Sequence, residues 1–578
     1  NDAVGSSTSV IYSANNTVEE QLEVNDCKFQ NNDGGAIKLN STNGGKLEIY
    51  DSKFITNTPE GSAQVQGAAL NIVGPYELIV STKDNVNKMP ATKDDTTDWR
   101  DCSADKSMIV NLLDPADSLK CANLFDGNAY TGSGQYSSGV LRGGAVHLDG
   151  LSSVLIESSF FTNNYINSNY NIFGAVIYIG NTNSLNFRYS YLTNNTMYSN
   201  QTSEGAVLFT ENIANTNYSY LWFNNTYMTK GFGGAFASHS STVNVSNSMF
   251  SNGKITEIGR GASMYATESS LISIKDSKFY KNSMTSGDGT CAGSFVSGAA
   301  VNVTHSVYVE NEAQQNGAAF YTEGKNGTSY DPNTLVSVTK CLFMKNKVSS
   351  GQGAGPAIMA KNSRILINKT EFYQNYFYEK GGTITLENCY SNIFSSSFVK
   401  NTYGGSRNQT AACVDVNGGI GDTTANVIFA NCTMTENVGN QYGVISALNG
   451  AKVDIISSSI INNDCNGTAI LYKNGTGSRI NMYNSIVSGN TLNGSSDGDN
   501  VLSLLTTKKY NTIGESIYFD NGGTSIGTTQ LEEGACSSVS FSVASDLTSS
   551  YCSYGPNIVS TTPFLEDHQT CRSYGMSR

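Results

Sequence analysis

The sequence predicts an all-β fold, a right-handed parallel β-helix solenoid of about 14 or more coils, with end caps and one inserted loop region. Three observations predict it. A short frame, apolar-x-apolar-x4-apolar-x-x-Asn, seen in "ISIKDSKFYKN" from Ile272 to Asn282, returns along most of the chain. A step of small residues into a second short apolar strand follows each copy, as in "GGAIKL" from Gly34. An Asn stands three places after the last apolar residue of nearly every copy.

The frame comes first. Its last apolar residue, the anchor, is Phe29, Phe54, Phe161, Leu192, Met228, Phe250, Phe279, Tyr308, Phe343, Phe372, Phe398, Met434, Ile460 or Val487, and most intervals are 22–36 residues. Five places earlier stands another apolar residue, such as Ile49 or Ile367, and two before that a third, such as Leu47 or Leu185. Alternation over so few residues is the pattern of a short strand with one buried face. The step strands follow: "GGAVHL" from Gly143, "GAVIYI" from Gly174, "GAVLFT" from Gly205, "GGAFAS" from Gly233, "GAAFYT" from Gly317 and "GGTITL" from Gly381. A unit this short cannot close a core alone. Stacking equivalent strands in register buries one continuous core, and a right-handed crossover is the favoured hand. Propeller blades need about 40–45 residues each, more than these units have.

The Asn closes the frame: Asn32, Asn57, Asn164, Asn195, Asn282, Asn311, Asn346, Asn375, Asn401, Asn437, Asn463 and Asn490. After Met228 and Phe250 the residue is Gly231 or Gly253. Asn and Gly both tolerate positive φ, so the position is expected to be a left-handed corner. The Asn amide is expected to bond the same amide one coil away, giving a structural ladder.

Phe-x-x-Asn endings paired with Gly-Gly-Ala-apolar steps resemble the repeats of the polymorphic outer membrane protein family. "SKFITN" from Ser52, "SKFYKN" from Ser277 and "SSFVKN" from Ser396 match the first motif, and "GGAI", "GGAV" and "GGAF" at Gly34, Gly143 and Gly233 the second. The resemblance covers about Leu22 to Asn490. It implies a right-handed β-helix exposed on a cell surface, often linked to adhesion, and it carries no catalytic residues. Bacterial members end in a membrane barrel; the tail here, from about Asn521, is short and Cys-bearing, so outer-membrane insertion is not expected. Similar repeats in eukaryotic surface proteins suit this Asn-rich chain better.

The domain reading is a cap over residues 1–21, the repeat domain over 22–490, an insertion over 75–139 with one degenerate coil in "YELIVS", and a Cys-bearing capping region over 491–578. The insertion holds Cys102 and Cys121, which bracket a nonrepetitive stretch and are the candidate disulfide. The chain has 12 Cys without a CxxC pair, and the even count fits disulfides in an oxidising compartment.

Charged residues are 14% and the formal net charge is −13, against nucleic acid or an anionic membrane as partner. No apolar run is long enough for a membrane-spanning helix, so no direct membrane insertion is expected. Hydrophobic residues at 38%, aromatics at 10% and only 8 Pro argue against disorder. No Asp clusters recur on neighbouring coils. His147 alternates with Val146 and Leu148 and is expected to face solvent, and His239 and His305 stand alone. No catalytic residue, metal site or cofactor is expected.

The remaining signal is N-linked sequons: Asn15, Asn40, Asn194, Asn200, Asn217, Asn224, Asn244, Asn302, Asn326, Asn368, Asn408, Asn431, Asn466, Asn474 and Asn493. Chance alone predicts about as many in a chain of this composition. Their placement says more, since none coincides with a corner Asn. The sequence therefore reads as a secreted, extracellular or cell-surface structural glycoprotein. Covalent N-glycans are expected on a rigid rod that self-associates into a fibre or coat. The alternatives are an adhesin binding through the insertion or the rod side, and a polysaccharide-degrading β-helix enzyme.

Overall fold

The computed structural model describes residues 9–16, 19–58, 66–83, 123–132, 140–268, 271–285, 289–325, 329–350, 353–378, 380–405, 409–418, 425–466, 470–475, 477–483, 485–488, 490–492, 500–503, 513–514, 517–519, 525–526, 551–552 and 555–556. Cys102 and Cys121 lie outside these residues. Among the described residues all regular structure is strand. The chain divides near Ala299 into two compact units, and each is a parallel β-helix.

In the first unit the step strands Ile37–Ser41, Leu70–Val73, Val146–Asp149, Ile177–Gly180, Leu208–Glu211, Phe236–His239, Met264–Thr267 and Ser294–Ser297 pair in parallel, each with the next. The alternating strands Glu20–Asn25, Gly45–Tyr50, Tyr76–Ser81 and Ser153–Glu157 begin a second face. A third face starts with Ala129–Gly132, Tyr165–Ser168 and Thr196–Ser199. In the second unit Leu335–Thr339, Arg364–Asn368, Tyr390–Phe394, Asn426–Ala430, Lys452–Ile456 and Arg479–Tyr483 stack in the same way. Alternation decides what is inside: Ile365 and Ile367 are buried, whereas Arg364, Leu366 and Asn368 point outward.

The step glycines are required by the backbone. Gly143 and Gly174 have φ of 58° and 63°. An added Cβ at Gly143 would meet the Val146 carbonyl oxygen at 2.0 Å, and at Gly174 the Ile177 carbonyl oxygen at 2.1 Å.

Several boundaries differ from the sequence reading. Ile11–Asn16, inside the predicted cap, pairs in parallel with Ile37–Ser41. Strands at Asn500–Ser503, Ile517–Phe519 and Ser525–Ile526 continue the stacking past Asn490. Within the predicted insertion 75–139, Tyr76–Ser81 is a coil strand, as "YELIVS" suggested, but so is Asn123–Asp126, and Phe125 stacks between Phe54 and Phe161. That coil carries its alternating strand on one side of the interruption and its anchor on the other, so the frame cannot be seen as one motif.

The anchor at Met228 is also corrected. Phe223 is in register with Leu192, and Met228 with Met197. The frame fits two offsets here, because Thr216 takes an inward place that is usually apolar. Thr216 is buried there and donates to the Thr242 carbonyl at 2.6 Å. The ladder position of this coil is therefore Thr226, not Gly231.

Candidate functional site

The interior asparagines form the ladder. In the first unit Asn32 Nδ2 donates to Asn57 Oδ1 at 2.6 Å, and Asn57 to Asn128 at 2.9 Å. Asn128 donates to Asn164, and Asn164 to Asn195, each at 3.1 Å. In the second unit Asn311, Asn346, Asn375, Asn401, Asn437, Asn463 and Asn490 are linked at 2.9–3.0 Å. After the first rung of each ladder, Oδ1 also accepts a backbone N–H and Nδ2 also donates to an anchor carbonyl one coil back. For Asn375 these are the Asn346 N–H at 3.0 Å and the Phe343 carbonyl at 2.9 Å. Both donors and both acceptor positions of the amide are then used. Thr226 and Gly253 interrupt the first ladder, although the Gly253 N–H still donates to Asn282 Oδ1 at 2.9 Å.

The expected left-handed corner sits one residue earlier. Asn31, Thr56, Asn163, Lys281, Lys345, Gln374 and Lys400 have φ near +50°, and the ladder Asn do not. The preceding residue makes the turn, which leaves the Asn side chain directed into the coil. Sequence reasoning also missed Asn128, whose half-frame "FDGN" lies in the predicted insertion.

A second ladder, of hydroxyls, was not anticipated. It lies where the alternating strand turns into the anchor strand, after a second left-handed residue such as Asp51, Asn247, Asp276 or Lys369. Ser52 Oγ donates to the Tyr50 carbonyl at 2.7 Å and accepts the Cys27 N–H at 3.1 Å. Ser248, Thr370, Ser396 and Ser458 repeat the arrangement. The signal was present as the Ser that opens "SKF" and "SSF".

Cysteines occupy the same rungs. Cys27, Cys341 and Cys432 each donate Sγ–H to the carbonyl two residues back, at 3.3, 3.3 and 3.5 Å. Cys27, Cys341, Cys389, Cys413, Cys432 and Cys465 are free thiols. Parity therefore misled for these residues, and at Cys27, Cys341 and Cys432 the thiol replaces a serine or threonine hydroxyl. Burial pushes the Cys341 and Cys432 thiols up to about 12 and Cys389 to about 11, where the reactive thiolate is scarce.

The sequon asparagines are elsewhere. Asn40, Asn194, Asn200, Asn217, Asn302, Asn431, Asn466 and Asn474 are exposed, and Asn224, Asn244 and Asn368 half-buried. Asn326, Asn408 and Asn493 lie outside the described residues, and of Asn15 only the backbone is described. Several sequon amides hydrogen-bond along the outside: Asn217 Nδ2 reaches Asn186 Oδ1 at 3.1 Å, and Asn200 Nδ2 reaches Asn169 Oδ1 at 2.7 Å. A glycosylated Nδ2 keeps one hydrogen, so such a bond survives modification.

Two histidines do not behave as expected. His147 leaves the outer side of its strand yet is only 1% exposed, stacked on Tyr178 with centroids 5.1 Å apart. Its Nδ1 lies 3.1 Å from Asn71 Oδ1. Burial, helped by the charge of Arg142, holds its pKa down at about 3, so it stays neutral. His239 is not isolated, since its Nε2 lies 2.5 Å from Glu204 Oε2. Burial alone would lower its pKa; Glu204, with Glu211 and Glu268, outweighs this and raises it. Among the described residues no group of three or more His, Cys, Asp or Glu could hold a metal ion. No protein-family model matches the chain, and no curated protein matches it.

Proposed function

We propose that the protein is an extracellular or cell-surface structural glycoprotein, a stiff β-helical element of a coat or filament. One observation carries this reading: the two classes of asparagine are segregated. Ladder amides are buried and hydrogen-bonded from coil to coil inside, while every sequon Asn with a described side chain is exposed or half-buried on the outside. The interior uses the amide for cohesion, and the exterior presents it for modification. The repeats that resemble those of the polymorphic outer membrane protein family point the same way, towards a cell surface. Buried thiols with raised pKa values would stay reduced in an oxidising compartment.

The test is intact mass of the native protein before and after a peptide N-glycosidase, which turns each released Asn into Asp, with electron microscopy of the untreated sample. The expected result is a mass above the 61.7 kDa chain that falls on treatment, new Asp at sequon positions, and filaments. A bare chain mass would overturn the glycoprotein reading. Dispersed single particles at micromolar concentration would overturn the filament reading.

A further inference from the structure

The second unit carries a cleft on the outer side of its alternating strands. Arg364 pairs with Tyr390 and Tyr390 with Asn426, so these side chains start from one outward column on successive coils. Asn392 and Ile428 are paired in the next outward column. Residues 329–334 pack against them. Asp331 fixes it: the carboxylate accepts from Thr334 Oγ1 at 2.7 Å and from the Asn333 N–H at 3.0 Å. The Asp331 N–H donates to the Asn362 carbonyl at 2.8 Å. Tyr330, the residue before it, is thereby set against Tyr390, with ring centroids 4.9 Å apart and planes at 63°. The two rings, Arg364, Asn392, Asn426 and Ile428 line a cavity of about 310 Å³.

The lining states what would fit. The Tyr390 ring is 38% exposed and offers an apolar face with a polar tip. Arg364 is exposed and has no ion-pair partner among the described residues, in a chain of net charge −13. Asn426 Oδ1 has no hydrogen-bond partner among the described residues, and a buried carbonyl oxygen is normally paired. The volume is near the lower limit of ligand sites, about 300 Å³, enough for one ring rather than a chain. The ligand then needs an apolar face, hydroxyl donors and one negative charge. A phosphate would bring nearly two charges to a single guanidinium, whereas a carboxylate matches its fork one to one.

We propose that this cleft binds one uronic-acid residue of an acidic glycan. The sugar's C–H face lies on Tyr390, with Tyr330 as the side wall. Arg364 takes the carboxylate in a bidentate pair, and a ring hydroxyl donates to Asn426 Oδ1 once that amide turns from its closed position toward the cleft. The site does not depend on whether the chain is itself glycosylated, so a failure of either reading leaves the other standing. The test uses the full chain with methyl β-glucuronide, methyl α-galacturonide and, as neutral control, methyl β-glucoside, read by saturation-transfer NMR and titration. At least one uronide is expected to bind, the glucoside about tenfold more weakly or less. Arg364→Gln should bring the uronide down to the level of the glucoside, and Tyr390→Ala should abolish both signals. Both side chains are exposed, and an unchanged melting temperature will show that the variants fold. No saturation of either uronide, equal binding of the glucoside, or an unchanged affinity in folded Arg364→Gln would each overturn the proposal.

Discussion

A ladder asparagine is worth more than a count of its own hydrogen bonds, because both neighbouring coils are shaped around it. Asn375 donates to Asn401 Oδ1 and the Phe343 carbonyl, and accepts from the Asn346 amide and N–H. Asn375→Ala strands these partners in a site closed to water, and buried unsatisfied groups cost about 1–3 kcal/mol each. Asn375→Asp keeps the acceptor but turns the donor into a second anionic oxygen facing two other oxygens. We therefore expect a loss of about 3 kcal/mol or more for Ala and a larger one for Asp, measured by urea unfolding; an Asp variant more stable than the Ala variant would refute the donor argument. Asp415 makes the opposite case, a residue that weakens the fold. Burial, opposed by a hydrogen bond from Ser446 and increased by the charge of Glu387, pushes its carboxyl up to about 6. The ordinary value is 3.8, so the folded state holds the proton more tightly than the unfolded chain does. The stability this gives is complete below the unfolded value and is lost as pH rises through about 6. Asp415→Asn should match the parent near pH 4 and exceed it near pH 7.5 by up to ~3 kcal/mol. Equal melting temperatures at both pH values would show that Asp415 titrates normally.

At the scale of the element, the coil was legible because its strands are short and strictly alternating. Leu47, Ile49 and Phe54 announce a strand, a turn and a second strand without help from distant residues. The Asn three places on announces the ladder, since little else at that spacing would repeat a primary amide. What stayed hidden depends on neighbouring coils. The choice between Phe223 and Met228 is made by register with Leu192 and Met197, not by either residue. The left-handed residue is hidden for another reason. Thr56, Lys281, Glu310 and Gln374 all hold φ near +50°. At about 1–2 kcal/mol each, such strain is sustained by the coils around it, so residue type says little. The hydroxyl rungs were hidden because Ser, Thr and Cys share the role. Cys341 Sγ stands where Ser306 and Thr370 place an oxygen, and an even cysteine count says nothing about such a thiol. Nor was the cleft legible: Tyr330 and Tyr390 are far apart in sequence and meet only when the Asp331 turn lies over the Arg364 strand.

At the scale of the whole molecule, strands pair with the coil before and the coil after, so within a unit stability is close to a sum of nearest-neighbour terms. This has a consequence that a globular core would not share. Phe372 is fully buried between Phe343 and Phe398, with ring centroids 5.3 and 4.7 Å away. Phe372→Ala removes the middle ring and should cost about 3–5 kcal/mol locally. In a globular domain that loss would be shared by every core amide. In a stack it should fall on the damaged coil and its two neighbours. Hydrogen exchange on the full chain should therefore show protection lowered by about two to four orders of magnitude in Leu342–Met344, Glu371–Tyr373 and Ser397–Val399. Lys452–Ile456 and Ser459–Ile461, further along the same unit, should keep theirs within about threefold. A uniform loss across the second unit would mean that its coils unfold as one block. The ladders would then have to transmit damage over several coils, and a ladder variant such as Asn375→Ala should reproduce the same uniform pattern.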